Sequence, residues 1–325
     1  MRIGRTIISR LKPKRPFIAM YHQVCVRSFD PWGLAVSPAN FDLQIKQLAH
    51  RRTILPMAEF VFRHLEGRLP SRAVAITFDD GYLDNLTQAA PILRRHGAPA
   101  TLFLATGPMA NGHPYWWDEL ADIVFDPAPM RGQLVLGNHV LSLVLHTSTS
   151  VDVLPGWRAW FPAKTPRQEL YYRLWNLLRT QLPTSIDTAI EHLRSLRGPI
   201  ATSAIRPMTT IEIGSLLAEG TVKLGGHTVD HPDLPSLSDS LVRRQVQRGN
   251  EDVAALAHAQ PSGFAYPYGR FDDRIKQLVK ECGVEWACTT QGGYVDATCD
   301  RFSLPRMTAT DRPDLAWTQF KPSKS

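Results

Sequence analysis

The chain has 325 residues, 43% of them hydrophobic and 21% charged. That is enough apolar sequence to bury a sizeable core, and the composition is too even for a repeat array, a coiled coil or a disordered polymer. The net charge of +7 is spread along the chain rather than gathered on one helix face, so no nucleic-acid partner is expected, and no run of about 18 apolar residues offers a membrane-spanning helix. Cys25, Cys282, Cys288 and Cys299 include no Cys-x-x-Cys pair, which argues against a disulfide scaffold and for a reducing compartment.

Residues 1–16 read as a basic tail. Arg10, Lys12, Lys14 and Arg15 interrupt the apolar region that a signal peptide would need. Ile3, Ile7, Ile8 and Leu11 lie among these cations, a mixture that permits peripheral contact with a membrane surface, a solvated tail being the simpler alternative. The expected location is therefore cytoplasmic or at the inner membrane face. From Phe17 onward, short β-type runs alternate with helical periods, the pattern of an α/β fold with a mostly parallel sheet. Strands are expected at Phe17–Tyr21, Val74–Phe78, Thr101–Leu104, Val222–Gly225, Gly263–Tyr266 and Trp286–Thr289. Ser37-Pro38 supplies an N-cap and first-turn proline before Phe41, Ile45 and Leu48, and Thr209 with Glu212 makes a capping-box pattern in a helix that Gly220 ends. Ile275, Leu278, Val279 and Cys282 give another apolar helix face, stopped at Gly283.

The alternation breaks over residues 113–205. There a Gly137-Asn138 turn between apolar runs predicts a hairpin, and Leu170, Leu174, Leu177 and Leu178, then Ile186, Ile190 and Leu193, predict two amphipathic helices. Five of the eight tryptophans (Trp116, Trp117, Trp157, Trp160, Trp175) fall in this stretch. It reads as an insertion packed on the core, as a lid or an acceptor-binding surface, although tryptophans also fill ordinary cores. The core then comprises 17–112 and 206–308, with 309–325 a C-terminal tail.

Three stretches at strand ends carry chemistry, because loops at the C-terminal ends of parallel strands converge on one face. The first is Ile76-Thr77-Phe78-Asp79-Asp80-Gly81-Tyr82; taken alone, its paired carboxylates could equally cap the next helix. The second is Gly226-His227-Thr228-Val229-Asp230-His231-Pro232. Two histidines four apart on one side of a helical turn can reach one metal ion, with Asp80 as third ligand and the remaining positions open for water and substrate. The third is Phe264-Ala265-Tyr266-Pro267-Tyr268-Gly269, where Pro267 keeps the chain extended and Gly269 permits a sharp turn, so that the Tyr268 N–H can serve as an oxyanion donor.

TFDDG, HTVDHP and YPYG, in this order, resemble the first three motifs of the polysaccharide deacetylases, carbohydrate esterase family 4, over roughly residues 17–108 and 206–308. The resemblance implies a deformed seven-stranded (β/α) barrel, a divalent metal that is usually zinc, and an N-acetylated glycan as substrate. It implies Asp79 as catalytic base, Asp80, His227 and His231 as metal ligands, and the Tyr268 main chain as oxyanion donor; Tyr82, Pro267 and Arg306 are the candidate substrate-binding residues. The chain departs from the pattern at two places. Its last histidine is His258, so the late Leu-x-His motif that supplies the family's usual acid is missing, and Ala265 stands where an arginine commonly precedes the Pro-Tyr pair. Arg306, in Phe302-Ser303-Leu304-Pro305-Arg306, is the candidate to take over that arginine's pairing with Asp79.

His22, in Met20-Tyr21-His22-Gln23-Val24, is the candidate acid, at the end of the first strand. This Tyr-His pattern also resembles the N-terminal motif of a deacetylase subgroup associated with exopolysaccharide production. A His22 that only hydrogen-bonds within the barrel rim is the alternative, and Asp230 and Asp84 are weaker candidates that could equally cap turns. The function expected is metal-dependent removal of N-acetyl groups from amino sugars of a polysaccharide or glycan precursor. A carbohydrate-binding pseudoenzyme and a hydrolase of another linear amide C–N bond are the alternatives.

Overall fold

Six of the expected strands lie side by side in one parallel sheet. The computed structural model describes residues 15–313 apart from 28, 111, 148–155, 199–204 and 262, so the basic stretch within 1–14 and the tail beyond 313 lie outside the described residues. In chain order the strands are β1 (Phe17–Tyr21), β2 (Thr53–Ile54), β3 (Ala73–Asp80), β4 (Ala100–Leu104), β5 (Met130–Leu136), β6 (His139–Leu145), β7 (Val222–Gly226), β8 (Gly263–Ala265), β9 (Trp286–Cys288) and β10 (Met307–Thr308). The main sheet runs β10-β1-β3-β4-β7-β8-β9, with β2 beside the start of β3. β1, β3 and β4 are buried along their whole length, which is why they read as continuous apolar runs rather than alternating ones.

The helices between the strands cover the outside: α1 (Pro38–Arg51), α2 (Met57–Leu65), α3 (Ala90–Arg95), α7 (Thr210–Ala218), α8 (Asp239–Ala257) and α9 (Asp273–Glu281), with α4 (Trp116–Phe125), α5 (Pro166–Arg179) and α6 (Pro183–Arg197) between α3 and α7 in the chain. At α7 the Thr209–Glu212 capping box forms in both directions. At α1 the expected cap residue is in place, but the Ser37 hydroxyl donates to Asp311 at 2.7 Å instead of capping a helix N–H.

One stretch closes the curve. Leu304 pairs with Cys288, and the Leu304 N–H donates to the Ala287 carbonyl at 3.0 Å. Three residues further on, β10 pairs with β1 through Ala19↔Met307. A single segment thus touches both edges of the sheet and curls it into the seven-stranded deformed (β/α) barrel.

Between α3 and α7 the chain builds a second apolar cluster, from α4, the β5–β6 hairpin, α5 and α6, with Leu120, Leu143, Leu174 and Leu193 fully buried at its centre. The hairpin turns at Gly137, whose φ of 57° suits a residue without Cβ. The Arg167 guanidinium, buried in this cluster, donates to the carbonyls of Val124, Asp126, Pro127, Ala128 and His146. It satisfies acceptors that the end of α4 would otherwise leave orphaned. No helix among the described residues is long and apolar enough to cross a membrane.

Candidate metal centre and cleft

All the motif residues gather at the C-terminal mouth of the barrel. Asp79 and Asp80 are the last two residues of β3, paired with Phe103 and Leu104 of β4, so the strand runs two residues beyond the expected Phe78. Asp80 has φ 74° and Gly81 φ 92°, and the Tyr115 hydroxyl holds the Asp80 carbonyl at 2.6 Å. The described residues include five non-glycine positions with positive φ, and Asp80, Thr228, His231 and Tyr268 are four of them. Such backbone costs of order 1–3 kcal/mol per residue and concentrates at functional sites.

The two histidines are not on a helical turn, which corrects the sequence expectation. His227 follows β7, and the chain then winds irregularly, with φ 69° at Thr228 and 53° at His231. The Thr228 hydroxyl accepts the His231 N–H at 3.0 Å, and the Gln245 side-chain oxygen accepts the N–H groups of Val229 and Asp230 at 3.1 and 2.9 Å. These side chains replace the helical ladder and bring the imidazoles to a ring separation of 4.7 Å.

Asp80, His227 and His231 are all buried, and one ligand atom from each lies within 4.8 Å of the others. The Nε2 atoms of His227 and His231 stand 3.4 and 3.5 Å from Asp80 Oδ1. His227 Nδ1 lies 2.7 Å from the Ala265 carbonyl, which places the proton on Nδ1 and leaves the Nε2 lone pair facing inward. Asp80 Oδ1 and His227 Nε2 are buried without a hydrogen-bond partner, a costly state for polar atoms that a shared cation relieves. Burial works to raise the Asp80 carboxyl, but the neighbouring imidazoles hold it at about 2, while burial pushes His231 down to about 3. One ionised carboxylate and a neutral imidazole are the forms in which these groups ligate a metal.

Asp79 takes a different partner. Arg306 Nη1 and Nη2 donate to its two oxygens at 2.7 and 2.6 Å, and Nε donates to the Thr289 carbonyl at 2.9 Å. Burial alone would raise the Asp79 carboxyl, and the guanidinium overcomes this and holds it below the usual carboxylate range. Arg306 is fully buried behind Asp79, so it makes the fork-shaped pair but does not reach substrate, which corrects its substrate-binding assignment. His22, at the end of β1, lines the cleft with Nε2 3.9 Å from Asp79 Oδ2.

Tyr268 also lines the cleft, its ring 4.5 Å from that of His231. In its turn the N–H groups of Gly269 and Arg270 donate to the Tyr266 and Pro267 carbonyls, and the Tyr268 N–H has no backbone acceptor among the described residues. A Cβ on Gly269 would meet the Thr290 nitrogen at 2.6 Å, so this turn requires glycine.

Two other expectations are corrected. Tyr82 is fully buried, its hydroxyl donating to Asp118 Oδ2 at 2.7 Å and accepting from Trp117 Nε1 at 2.9 Å, so it fastens α4 to the barrel and leaves the cleft untouched. Pro267 is buried inside its turn and shapes it without lining the cleft. Asp230 and Asp84 also lie off the cleft. Trp160 and Trp175, named among the tryptophans of the expected lid or acceptor-binding stretch, line the cleft together with Trp32, Arg179 and Arg270, which sequence reasoning missed. The tryptophan density of 113–205 was the signal for the first two, and for Arg270 there was only its place next to the Tyr-Pro-Tyr-Gly turn.

The chain matches the family model described as polysaccharide deacetylase over residues 66–149 and 199–287, just over half of its length. The poly-β-1,6-N-acetyl-D-glucosamine N-deacetylase of Staphylococcus aureus is 39% identical over 74 residues, 22% of this chain and 26% of that protein. Across the first curated relatives it matches, the chain spans between 26% and 36% of their length. The fold is similar to that of the Streptococcus pyogenes deacetylase PplD in complex with acetate, with a TM-score of 0.58 at 20% identity over 92% of this chain and 94% of that one. It is also similar to that of IcaB from Ammonifex degensii, with a TM-score of 0.57 at 17% identity over 91% and 92%. The family match runs through both halves of the barrel and through the strand ends that carry Asp79, Asp80, His227, His231 and Tyr268, and the chain belongs to the polysaccharide deacetylase family.

Proposed function

We propose that this chain is a metal-dependent hydrolase that removes N-acetyl groups from amino sugars of a polysaccharide or glycan precursor. The observation that carries the reading is the juxtaposition of two differently engaged carboxylates. Asp80 stands with His227 and His231 as an unsatisfied donor set, and Asp79 beside it is kept ionised by Arg306. Two imidazoles and one carboxylate suit zinc, with open positions for substrate. A divalent ion held there supplies a Lewis acid, which polarises an amide carbonyl and acidifies water toward a pKa of about 7.

Asp79 acts as the base, removing the proton of the attacking water. The Tyr268 N–H receives the oxygen that becomes negative as the acetamide carbon turns tetrahedral. His22, on the same rim, donates a proton to the departing nitrogen, because an amide C–N bond does not readily expel an unprotonated amine. Support for a glycan substrate comes from the names of the relatives, one of them an N-deacetylase of a polymer of N-acetylglucosamine, and from the aromatic wall, which offers flat apolar faces to sugar rings.

The test is acetate release from N-acetylglucosamine oligomers by the zinc-loaded chain. Asp79→Asn is expected to keep its zinc and lose at least a hundredfold in kcat, and His22→Ala to lose roughly 10²–10⁴-fold with its zinc content unchanged. Undiminished turnover in Asp79→Asn refutes the assigned base. Oligomer binding without acetate release by any form identifies a binding protein instead, and release from small linear amides but not from sugars identifies a different amidase.

A further inference from the structure

The cleft carries a positive charge that the deacetylation chemistry does not use. Arg179, at the end of α5, and Arg270, just after the Tyr268 turn, both line it and share one carboxylate, that of Asp233. Arg179 Nη1 donates to Asp233 Oδ2 at 3.2 Å and Arg270 Nε to Asp233 Oδ1 at 2.9 Å. Asp233 is only 2% exposed, so a single buried anion faces two guanidiniums. Arg179 lies over the Trp175 ring at 5.1 Å, and its Nε is buried without a hydrogen-bond partner. The Arg270 side chain is 40% exposed, and among the described residues its terminal nitrogens have no hydrogen-bond acceptor. Of the cleft's other carboxylates, Asp79 is paired with Arg306 and Asp80 faces the two histidines of the metal centre, so neither turns toward this arginine pair.

The pair is contiguous with the reacting centre. The His231 ring meets Tyr268 at 4.5 Å, Tyr268 meets Trp175 at 5.6 Å, and Trp175 carries Arg179. The unengaged guanidinium N–H groups in this partly desolvated corner, above all the two terminal nitrogens of Arg270, are matched by an oxyanion, which accepts two parallel bonds from such a fork.

Resting on the glycan-deacetylase reading above, we propose that Arg179 and Arg270 hold an oxyanion substituent, a phosphate or a carboxylate, on the glycan next to the sugar whose acetamide is cleaved. Trp175 then forms the wall against which that sugar lies. The preferred substrate is accordingly an anionic glycan rather than a neutral homopolymer of N-acetylglucosamine.

Titration calorimetry on the zinc-loaded full chain with three probes tests this: neutral N,N′-diacetylchitobiose, N-acetylglucosamine 1-phosphate, and a disaccharide of N-acetylglucosamine with glucuronic acid. At least one anionic probe is expected to bind tenfold or more tighter than the neutral one, with the ratio falling as salt rises, and the tighter of the two identifies phosphate or uronate as the source. Arg270→Gln and Arg179→Gln should each bring the ratio toward one, and Arg270→Lys should retain part of it. Equal affinity for all three probes overturns the proposal. A preference that survives both glutamine variants but vanishes in His231→Ala also overturns it, because the anion is then on the metal. Selective anion binding with no acetate release from any probe counts against the deacetylase reading and for the anion subsite.

Discussion

Asp79 and Arg306 are bonded through two N–H···O contacts of 2.7 and 2.6 Å, with both side chains buried. Taking away one member of such a pair leaves a charge in the interior with nothing to balance it, which costs about 3–5 kcal/mol. Arg306→Met is expected to lower stability by that amount, read in urea unfolding, and to abolish activity. Arg306→Lys should rescue little, because an ammonium cannot make the two parallel bonds, and the double variant Asp79→Asn/Arg306→Met should regain stability without activity. The pairing was legible because Ala265 stands where the family pattern has an arginine and Arg306, in the C-terminal stretch, was available to replace it. Tyr82 was misread for the opposite reason. Its closeness to Asp79-Asp80 in sequence does not determine which way its ring points, and the ring turns inward to Asp118.

At the scale of elements, the site is a set of strand ends whose next residues are bent back by local contacts. The loop of the two histidines rests on α8, where Gly249 lets the helix approach closely: a Cβ there would lie 2.7 Å from the Thr228 carbonyl carbon and 2.8 Å from its oxygen. Backbone cannot yield as a flexible side chain can. Gly249→Ala is therefore expected to shift Thr228 and His231 and weaken zinc binding at least tenfold, measured by competition with a chelating dye. Gly214→Ala in α7, where a Cβ meets nothing within 4 Å, should leave zinc affinity unchanged. The strands that carry the motifs were readable because buried parallel strands are unbroken apolar runs. The irregular path between His227 and His231 was not, since four-residue spacing fits a helical turn and a side-chain-braced loop equally well.

For the whole molecule, three inputs converge on one mouth: the barrel supplies the donor set, the region of α4 to α6 supplies Trp117, Trp175 and Arg179 to the cleft wall, and the closing segment supplies Arg306. A bound cation should couple to the stability of all of it. Zinc at a thousand times its dissociation constant is expected to stabilise the fold by about 4 kcal/mol, seen as a rise in melting temperature that excess chelator removes and that His231→Ala never shows. The parallel sheet was legible from the alternation of elements, but its closure was not, because β10 is two residues long and has no period to read. That closure has a consequence for biosynthesis. The segment that seals the barrel also brings Arg306, which lies 227 positions after Asp79, a delay on the order of ten to fifty seconds at ordinary translation speeds. Through that interval the nascent chain holds an unbalanced acid where its interior should be, and the completed barrel and its working chemistry arrive together, with the same few residues.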